Sequence, residues 1–393
     1  MRTIGVVTVS RSDYGIYRPV LKRIHSDPQL ELRLFVGGMH LSPEFGYTLR
    51  EIEEDGFPIA DQIEMLLSSD TPEGIAKSMG LGTIGFAHAF ARFRPDILIV
   101  LGDRFEMHSA AVAALPFALP IAHIHGGEST EGLIDEAIRH SITKMSHLHF
   151  PSTAVYARRI VQMGEEPWRV VVTGAPSLDN LFLHQRLTRA ELAQHHGIDL
   201  VEPTLLVTYH PVTLEYEQTQ AHVEALLDAL KDSGHAAIFT YPNSDTYGRV
   251  IIKMISEFVA HCPKARAIVN CGTDLYFSLL NHVDAMVGNS SSGIIEAASF
   301  KLPVVNIGNR QRGRLHAENV IDVGYSPSEI AQGISKAMSA SFRAGLADLA
   351  NPYGDGHAAD RIVAKLKEVS INQRLLQKQF QTVVGVAECE SCS

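Results

Sequence analysis

The sequence predicts an α/β fold of two Rossmann-like domains, each a doubly wound parallel sheet, that face each other across a cleft. Short apolar runs alternate along the chain with longer amphipathic segments, a pattern typical of parallel strands connected by helices. Twelve such runs exceed what one sheet of this kind usually holds, so we divide them into two sets of six. A length of 393 residues also favours two domains.

The predicted strands are short, and most are followed by a polar or glycine-containing run. In the first domain they span residues 3–9, 31–36, 96–101, 119–124, 147–150 and 170–173. In the second domain they span residues 204–209, 236–240, 267–270, 284–287, 303–307 and 319–323. Helical patterns lie between or after them, at residues 73–93, 133–144, 220–230, 247–261 and 328–338.

The domain boundary is expected between Gly174 and Glu202, where residues 183–197 have a polar helical pattern. The first domain is therefore assigned residues 1–178 and the second residues 200–356. A last helical pattern follows the Asn-Pro-Tyr-Gly-Asp-Gly run. It is expected to rejoin the first domain within residues 357–380.

The composition argues against several classes of partner. Lys and Arg number 34 against 44 Asp and Glu, and no block is rich in Lys or Arg, so a nucleic-acid or anionic-membrane surface is not expected. No apolar stretch approaches the ~20 residues of a membrane span. The first residues enter a strand pattern without a signal-peptide cleavage site. We expect a cytoplasmic protein.

The cysteines give little functional signal. Cys262 and Cys271 lie in ordered-looking sequence and are expected to be free thiols. Cys389 and Cys392 form a Cys-x-x-Cys pair in the last five residues, which supplies only half of a zinc site. A solvated tail is the favoured interpretation.

The run Gly80-Leu-Gly-Thr-Ile-Gly85 matches the dinucleotide-binding pattern G-x-G-x-x-G, and Asp103 follows at about the expected distance. The residues before it are polar and helical in pattern, whereas the motif requires a strand there. We interpret these glycines as close-packing points within or between helices.

Ionisable side chains collect after two predicted strands. Leu-Gly-Asp-Arg-Phe-Glu (101–106) follows one of them, and His-Ile-His-Gly-Gly-Glu (123–128) with Asp-Glu-Ala-Ile-Arg-His (135–140) follows the next. Because the carboxyl ends of parallel strands meet at one edge, these groups are expected to share a ligand site. The candidates for acid–base work and for contact with a charged substrate are Asp103, Arg104, His125, Glu128, Asp135, Glu136 and Arg139.

Two other interpretations of this region stay open. His123 and His125 alternate on a strand and could bind a metal ion with Glu128 or His147, although the nearby acid and arginine favour acid–base chemistry. Asp135 has its own alternative: it lies four residues before Arg139 on a helix, which allows a surface ion pair between them.

A second group of residues suits phosphate. Gly-Asn-Ser-Ser-Ser-Gly (288–293) follows a strand and opens a predicted helix, Ile294–Phe300. Its small residues and free N–H groups are suited to bind an anion such as phosphate. Arg11, His210 and Arg310 each follow another strand. The alternatives are a serine N-cap for the 288–293 run, a helix-capping turn for the run that begins at Arg11, a structural histidine for His210 and a solvated loop for Arg310. Together with the acids, these residues indicate an enzyme that acts on a phosphorylated substrate.

Five motifs stand in a recognisable order. They are Gly-Asp-Arg-Phe-Glu (102–106), His-Ile-His-Gly-Gly-Glu (123–128) with Arg-His-Ser-Ile-Thr-Lys-Met-Ser-His (139–147), Tyr-His-Pro-Val-Thr (209–213), Gly-Asn-Ser-Ser-Ser-Gly-Ile-Ile-Glu-Ala (288–297) and Asn-Pro-Tyr-Gly-Asp-Gly (351–356). From about residue 3 to residue 369 the chain resembles the UDP-N-acetylglucosamine 2-epimerase family. Within that family it is similar to the hydrolysing branch of bacterial sialic-acid and legionaminic-acid synthesis.

The resemblance implies a glycosyltransferase-B type fold, a UDP-sugar substrate, no cofactor and a homodimer or homotetramer. It implies free N-acetylmannosamine, or its 2,4-diacetamido-6-deoxy analogue, and UDP as products. The nucleotide-binding residues that it implies are Arg11, Gly15, Arg104, His210, Asn243, Ser290, Ser291, Glu296 and Arg310, with Glu296 on the ribose. Many members carry an acid where this chain has His125, which leaves open which residue is the acid and which the base.

Elimination is the simplest route to inversion at C2 of the sugar. A base takes the C2 proton as UDP leaves, a glycal forms, and water adds at C1. Asp103 is the expected base, Glu128 or Glu136 returns a proton, and His125 assists. Hydrogen leaves as a proton, so no redox cofactor is needed. The rival functions are a non-hydrolysing 2-epimerase, a glycosyltransferase of the same fold and a non-catalytic nucleotide-sugar sensor.

Overall fold

The computed structural model describes residues 1–69, 71–130, 134–183, 186–241, 248–269 and 271–382. Within these ranges the chain divides into two units. The first comprises Met1–Glu128, Ile134–Pro176 and the described residues from His357 onward, and the second centres on Ser177–Gly356.

Strands and helices alternate in both units. The strands are β1 (Arg2–Thr8), β2 (Leu30–Gly37), β3 (Ile59–Ile63), β4 (Ile97–Leu101), β5 (Ile121–Ile124), β6 (Leu148–Phe150), β7 (Thr204–Thr208), β8 (Ala236–Thr240), β9 (Ala265–Ile268), β10 (Ala285–Gly288), β11 (Val304–Ile307) and β12 (Val320–Val323). The α-helices are α1 (Arg11–His25), α2 (Leu49–Glu54), α3 (Pro72–Arg92), α4 (Phe105–Ala114), α5 (Ile134–Met145), α6 (Ala154–Gln162), α7 (Asn180–Leu183), α8 (Arg189–His196), α9 (Thr219–Ser233), α10 (Gly248–His261), α11 (Gly272–His282), α12 (Ser291–Ile295), α13 (Pro327–Met338), α14 (Ala340–Gly345), α15 (Ala358–Glu368) and α16 (Gln373–Leu376).

The described residues of the first unit form a six-stranded sheet in the order β3-β2-β1-β4-β5-β6. All neighbouring pairs are parallel. Strand β4 is apolar and buried along its whole length, as expected for a central strand that helices cover on both faces. The strand order reverses between β1 and β4. Doubly wound sheets bind ligands beyond the carboxyl ends of the strands at such a reversal.

The second unit repeats this plan. Its described residues form a six-stranded parallel sheet in the order β12-β11-β10-β7-β8-β9, and the order reverses between β7 and β10. Two doubly wound parallel sheets confirm the fold class that the sequence predicts.

One predicted strand is wrong. Residues 170–173 form only an isolated bridge, between Val170 and His149, although the backbone N–H of Val171 also donates to the His149 carbonyl at 2.9 Å. The sixth strand of the first unit is instead β3 (Ile59–Ile63), at the opposite edge of the sheet. This strand contains polar Asp and Gln residues, which an edge strand tolerates because solvent lies along one of its sides.

The polar helix expected over residues 183–197 is shorter than predicted. It is α8, which begins after Thr188 because the Thr188 hydroxyl accepts from the Glu191 N–H at 3.2 Å and the Glu191 carboxylate accepts from the Thr188 N–H at 2.8 Å. Gly197 ends it in the left-handed conformation.

The glycine run at 80–85 lies inside α3, so the close-packing interpretation is confirmed. A Cβ on Gly82 would overlap the Met65 side chain, and one on Gly85 would lie 2.7 Å from Ile63 Cγ2. Gly80 faces open space.

The last helices pack onto the first unit. Helix α15 contributes Ile362, Val363 and Leu366 to the hydrophobic core of that unit. The buried Arg169 side chain donates to the Leu375 carbonyl at 2.7 Å, which anchors the segment around α16.

Three smaller findings complete the description. Cys262 and Cys271 are free thiols, as predicted. Cys389 and Cys392 lie outside the described residues. In the part of the chain that the structure describes, no helix is long and apolar enough to cross a membrane.

Candidate active site

A buried guanidinium organises the acids of the first unit. Arg139, on α5, has a side chain that is 1% exposed. It donates to the Asp103 carboxylate, to Glu136 Oε2 at 3.0 Å and to the Glu128 carbonyl at 3.1 Å. One planar group therefore holds two carboxylates side by side, and its positive charge offsets their mutual repulsion.

These acids reach the guanidinium from separate elements. Gly102 ends β4 in the left-handed conformation, with φ of 69°, so that Asp103 turns out of the strand. Asp135 and Glu136 lie in the first turn of α5, where both are half-buried. Because Arg139 is buried, the alternative of a surface ion pair is wrong.

His125 and Glu128 form a second buried pair just after β5. His125 Nδ1 lies 2.6 Å from Glu128 Oε1, and the Ser152 hydroxyl donates to the same oxygen at 3.0 Å. His125 is 8% exposed and Glu128 3% exposed. Ser152 was not among the residues predicted from the sequence, and its position 24 residues from Glu128 gave no signal.

His125 also has an unusual backbone. Its φ is 62°, in the left-handed region that residues with a Cβ seldom adopt. Its N–H donates to the Phe150 carbonyl of the neighbouring strand at 3.2 Å. Strained residues of this kind concentrate at functional sites, where their surroundings fix them.

The predicted metal alternative gains no geometric support. His123 is fully buried, and its ring nitrogens lie 2.7 Å from the Gly102 carbonyl oxygen and 3.2 Å from the Thr143 hydroxyl. Burial lowers the pKa of His123 to about 3, so the ring is neutral. His147 Nδ1 accepts from the Ile121 N–H at 3.2 Å. Among the described residues, no three His, Cys, Asp or Glu side chains cluster as metal ligands would.

Arg104 lies at the start of α4 beside two buried acids that the sequence did not single out. Its guanidinium is 3.2 Å from Glu106 Oε1. Asp13, in the first turn of α1, has its pKa raised to about 6 because burial disfavours its charge, although Arg104 opposes this effect. Helix α1 is capped by Ser10, whose hydroxyl accepts from the Asp13 N–H at 3.3 Å, and not by the Ser or Asp of the 11–15 run as expected.

Two further predicted residues lie on α1. Arg11 is half-exposed and forms an ion pair with Glu51 at 3.6 Å. Gly15 lies one turn further along, and a Cβ there would meet no atom within 4 Å. Both are accessible at the carboxyl end of β1.

In the second unit, Asn289 holds the polar ends of two strands together. It directly follows β10 and is fully buried. Its Oδ1 accepts from the His210 N–H at 2.7 Å, and its Nδ2 donates to the His210 carbonyl at 2.8 Å. Its own carbonyl accepts from Arg310 Nη1 at 3.0 Å. Asn289 therefore brings His210 and Arg310 to the same loop, a role that its run of small polar residues did not reveal.

The close approach of β10 and β7 depends on glycine. Gly288 has φ of 139°, and a Cβ on it would overlap the Thr208 carbonyl oxygen. Only glycine fits there, because the side chain of any other residue would push the two strands apart.

His210 is a neutral group. It is 7% exposed, and burial, reinforced by the Arg310 charge, lowers its pKa to about 3. Its Nδ1 has no hydrogen-bond partner among the described residues. An uncharged imidazole can bind an anion only by donating a hydrogen bond, so Arg310 supplies the positive charge of this loop.

The helix that opens this loop is shorter than expected. The sequence predicted a helix from Ile294 to Phe300, whereas α12 spans only Ser291–Ile295 and a 3₁₀ turn follows. Ser290 caps it by accepting from the Ser292 N–H at 3.3 Å. Five residues build up little of the dipole of a long helix.

Glu296 follows α12 and accepts a hydrogen bond from the Ser177 hydroxyl at 2.6 Å. The structure thus shows this carboxylate accepting from an aliphatic alcohol, the same type of group as a sugar hydroxyl. Asn243, the remaining predicted residue, lies outside the described residues.

Comparisons with known proteins agree with these features. The model of the UDP-N-acetylglucosamine 2-epimerase family matches residues 22–367. The chain is 38% identical to the UDP-N,N'-diacetylbacillosamine 2-epimerase (hydrolyzing) of Legionella pneumophila, over 96% of this chain and 99% of that protein. It is 39% identical to the GDP/UDP-N,N'-diacetylbacillosamine 2-epimerase (hydrolyzing) of Campylobacter jejuni, over 87% of this chain and 89% of that protein.

A solved structure supports the fold independently. The UDP-GlcNAc 2-epimerase of Neisseria meningitidis, crystallised with UDP-GlcNAc, superposes with a TM-score of 0.79. The match covers 94% of this chain and all of that one, at 18% identity. The resemblance seen in the sequence motifs is therefore confirmed: the chain belongs to the UDP-N-acetylglucosamine 2-epimerase family.

Proposed function

We propose that the chain is a hydrolysing 2-epimerase that converts a UDP-2-acetamido sugar and water into UDP and the free sugar inverted at C2. The observation that carries this proposal is the buried Arg139 guanidinium that holds Asp103 and Glu136 together. Paired carboxylates suit a reaction that removes and returns protons.

The substrate that we favour is UDP-N,N'-diacetylbacillosamine. The two relatives with 38% and 39% identity are named for that substrate. The product would be the 2,4-diacetamido-6-deoxy analogue of N-acetylmannosamine, a precursor suited to legionaminic-acid synthesis. UDP-N-acetylglucosamine, which would give N-acetylmannosamine for sialic-acid synthesis, is the alternative substrate.

The proposed first step is elimination. Asp103 takes the proton from C2 while the bond from C1 to the diphosphate oxygen breaks, so that a glycal and UDP form. Glu136, Asp135 and the buried pair of His125 with Glu128 supply the groups for the return of a proton, and Arg139 positions Asp103 and Glu136. Water then adds at C1 and gives the free sugar.

The second unit is proposed to bind UDP. Arg310 supplies charge, and His210, Ser290 and Ser291 supply hydrogen-bond donors to the diphosphate. Glu296 accepts from a ribose hydroxyl, as it does from Ser177. Removal of one donor that acts on the leaving diphosphate is expected to lower turnover roughly 10²–10³-fold.

The remaining proposed nucleotide contacts are Arg11, Gly15, Arg104 and Asn243. We also propose that the enzyme works in the cytoplasm as a homodimer or homotetramer. Light scattering on the purified protein tests the oligomeric state.

The test is product analysis without any acceptor. The purified chain is incubated with UDP-N,N'-diacetylbacillosamine and, separately, with UDP-N-acetylglucosamine. The products are separated, their masses are measured by mass spectrometry, and the configuration at C2 is read from the proton NMR couplings. Free 2-epimer plus equimolar UDP supports the proposal. A UDP-linked epimer indicates a non-hydrolysing enzyme, and release of UDP only after an acceptor is added indicates a glycosyltransferase. Tight binding of both sugars without any product indicates a sensor.

A further inference from the structure

We propose that His125 carries the second proton of the reaction through Nε2, and that Glu128 is not itself an acid or base but the group that orients His125. The inference rests on the proposed function and assigns a separate role to each member of the pair.

The hydrogen bond fixes the tautomer of the ring. Glu128 Oε1 receives two hydrogen bonds, from His125 Nδ1 at 2.6 Å and from the Ser152 hydroxyl at 3.0 Å. An ionised carboxylate can only accept, so His125 Nδ1 is the donor in this bond and Nε2 is the ring nitrogen left to exchange a proton. A carboxylate that orients a histidine in this way leaves the opposite nitrogen as the proton carrier.

The backbone holds this arrangement in place. His125 has φ of 62°, and its N–H is bonded to the Phe150 carbonyl at 3.2 Å. Gly127 follows with φ of 76°, and a Cβ there would lie 2.6 Å from the Tyr156 carbonyl oxygen. The turn between His125 and Glu128 is therefore fixed by packing on both sides, and the pair is preorganised.

The His125–Glu128 pair lies at the carboxyl ends of the strands of the first sheet, as does Asp103, the expected base. Strands β4 and β5 are in register with Leu101 opposite Ile124, so Asp103 and His125 leave adjacent strands at nearly the same level. Arg139 bonds both to Asp103 and to the Glu128 carbonyl. A single guanidinium thus links the expected base to the residue that orients His125.

The neighbouring His123 shows what a structural histidine looks like in this fold. Both of its ring nitrogens face protein groups, at 2.7 Å from the Gly102 carbonyl and 3.2 Å from the Thr143 hydroxyl. Neither nitrogen is available for proton exchange with a substrate. The two histidines of the motif therefore have different roles.

The proposed step balances as follows. Asp103 has taken the first C2 proton, and UDP has left with the C1–O electron pair. His125 takes a proton from solvent at Nε2 and, as the imidazolium, gives it to C2 of the glycal. The double-bond electrons form the new C2–H bond, and water forms the C1–O bond. The proton that water then loses returns to His125, and Asp103 releases to solvent the proton that it took, which offsets the negative charge gained by the departing UDP.

Three variants distinguish a proton carrier at position 125 from a residue that has only a structural role. In His125→Gln, elimination proceeds but the return of the proton fails, so UDP and a glycal one water lighter than the product are expected to accumulate. Formation of free 2-epimer is expected to fall 10²–10⁴-fold. His125→Glu places another proton carrier there and is expected to regain part of this rate. Because this group acts as an acid, its titration sets the alkaline limb of the pH profile of kcat, and that limb is expected to move to lower pH. His88→Gln, at an exposed position on α3, is the matched control and is expected to behave as the wild type.

Glu128→Gln decides between the two residues. We expect it to form the normal product at lower kcat, without glycal, and with the histidine limb of the pH profile moved to lower pH because the stabilising anion is gone. Normal product from His125→Gln, or glycal accumulation in Glu128→Gln but not in His125→Gln, would overturn the inference.

A spectroscopic measurement keeps this test independent of the proposed function. Nitrogen-15 NMR of the histidine-labelled chain, with His125 identified by its absence in His125→Gln, reports which ring nitrogen carries the hydrogen. We expect the Nδ1–H form, and an Nε2–H form overturns the inference. If the wild type turns over no UDP-sugar but the Nδ1–H form is found, the proposed function fails while the orientation of His125 stands.

Discussion

Asn289 binds the backbone of His210 with both ends of its side-chain amide. Its Oδ1 accepts from the His210 N–H at 2.7 Å, and its Nδ2 donates to the His210 carbonyl at 2.8 Å. The two residues follow β10 and β7, the strands between which the order of the second sheet reverses. These two hydrogen bonds fix the position of His210, which we propose to bind the diphosphate.

Replacement of Asn289 by Ala is expected to weaken both stability and UDP binding. Each buried backbone group left without a partner costs about 1–3 kcal/mol of unfolding free energy. Displacement of His210 is expected to raise the Kd for UDP roughly tenfold, a loss of about 1.4 kcal/mol. Urea denaturation and calorimetric titration with UDP measure the two effects.

Asn319→Ala is the matched control for this change. Asn319 is also fully buried, and its Nδ2 donates to the Leu302 carbonyl at 2.8 Å. It is expected to lower stability and leave the Kd for UDP unchanged. Equal loss of UDP affinity in both variants would show that Asn289 acts only on stability.

Two glycines on α3 are expected to respond to alanine with opposite signs. Gly80→Ala places a methyl group in open space and is expected to raise the free energy of unfolding by about 0.5–1 kcal/mol. Gly82→Ala forces a methyl group into Met65 and Ser109 and is expected to lower it by about 1–3 kcal/mol. Urea midpoints of the two variants test this directly. Destabilisation by both, to the same extent, would contradict the close-packing explanation.

His123 is expected to make the fold sensitive to acid. Burial lowers its pKa from 6.5 to about 3, so below pH 6.5 the unfolded chain binds a proton that the folded chain does not. The free energy of unfolding therefore falls as the pH falls from 6.5 toward 3, by about 1.4 kcal/mol per pH unit for this one group. At pH 7, His123→Asn is expected to be less stable than the wild type. Between pH 6.5 and 3 its free energy of unfolding is expected to fall less steeply than that of the wild type, by about 1.4 kcal/mol per pH unit.

Denaturation curves between pH 7 and pH 4 provide the measurement. The exposed His88, changed to Asn, is the control and should leave the slope of stability against pH as it is in the wild type. If the slope of stability against pH in His123→Asn equals that of the wild type, the buried His123 ring is not a cause of the sensitivity to acid.

Asp103→Asn is expected to abolish turnover without loss of UDP binding. The amide cannot take the C2 proton, so kcat should fall by roughly 10²–10⁴-fold. The Kd for UDP should not change, since Asp103 is not among the proposed nucleotide contacts. Asp27→Asn, whose parent residue forms an ion pair with Lys367 away from these groups, controls for loss of a carboxylate. Normal turnover in Asp103→Asn would remove Asp103 from the mechanism.

Much of the fold follows from local sequence. Strands such as β4 are unbroken apolar runs because helices cover both faces, and such runs can be recognised without tertiary information. Strand β3 could not be recognised, because its Asp61 and Gln62 suit an edge and resemble a loop. Residues 170–173 were wrongly predicted as a strand for the opposite reason. The run is apolar like a strand, but it pairs with β6 through a single bridge only.

The site was predictable only in part. The rule that ligands bind at the carboxyl ends of parallel strands placed Asp103, His125 and His210 in candidate sites. The contacts between these residues and distant partners were not predictable. Arg139 meets Asp103 from 36 residues away, and Ser152 meets Glu128 from 24 residues away, because strand order brings them together and periodicity carries no such information.

The most direct test of the central claim is turnover of the favoured UDP-sugar in deuterated water. The claim is that the hydrogen at C2 leaves as a proton to a carboxylate and that another proton from solvent replaces it. We expect the free sugar to carry one deuterium at C2, seen by mass spectrometry and by loss of the C2 proton signal in NMR, with one UDP released per sugar. Free sugar that retains its original hydrogen at C2 would contradict the elimination mechanism.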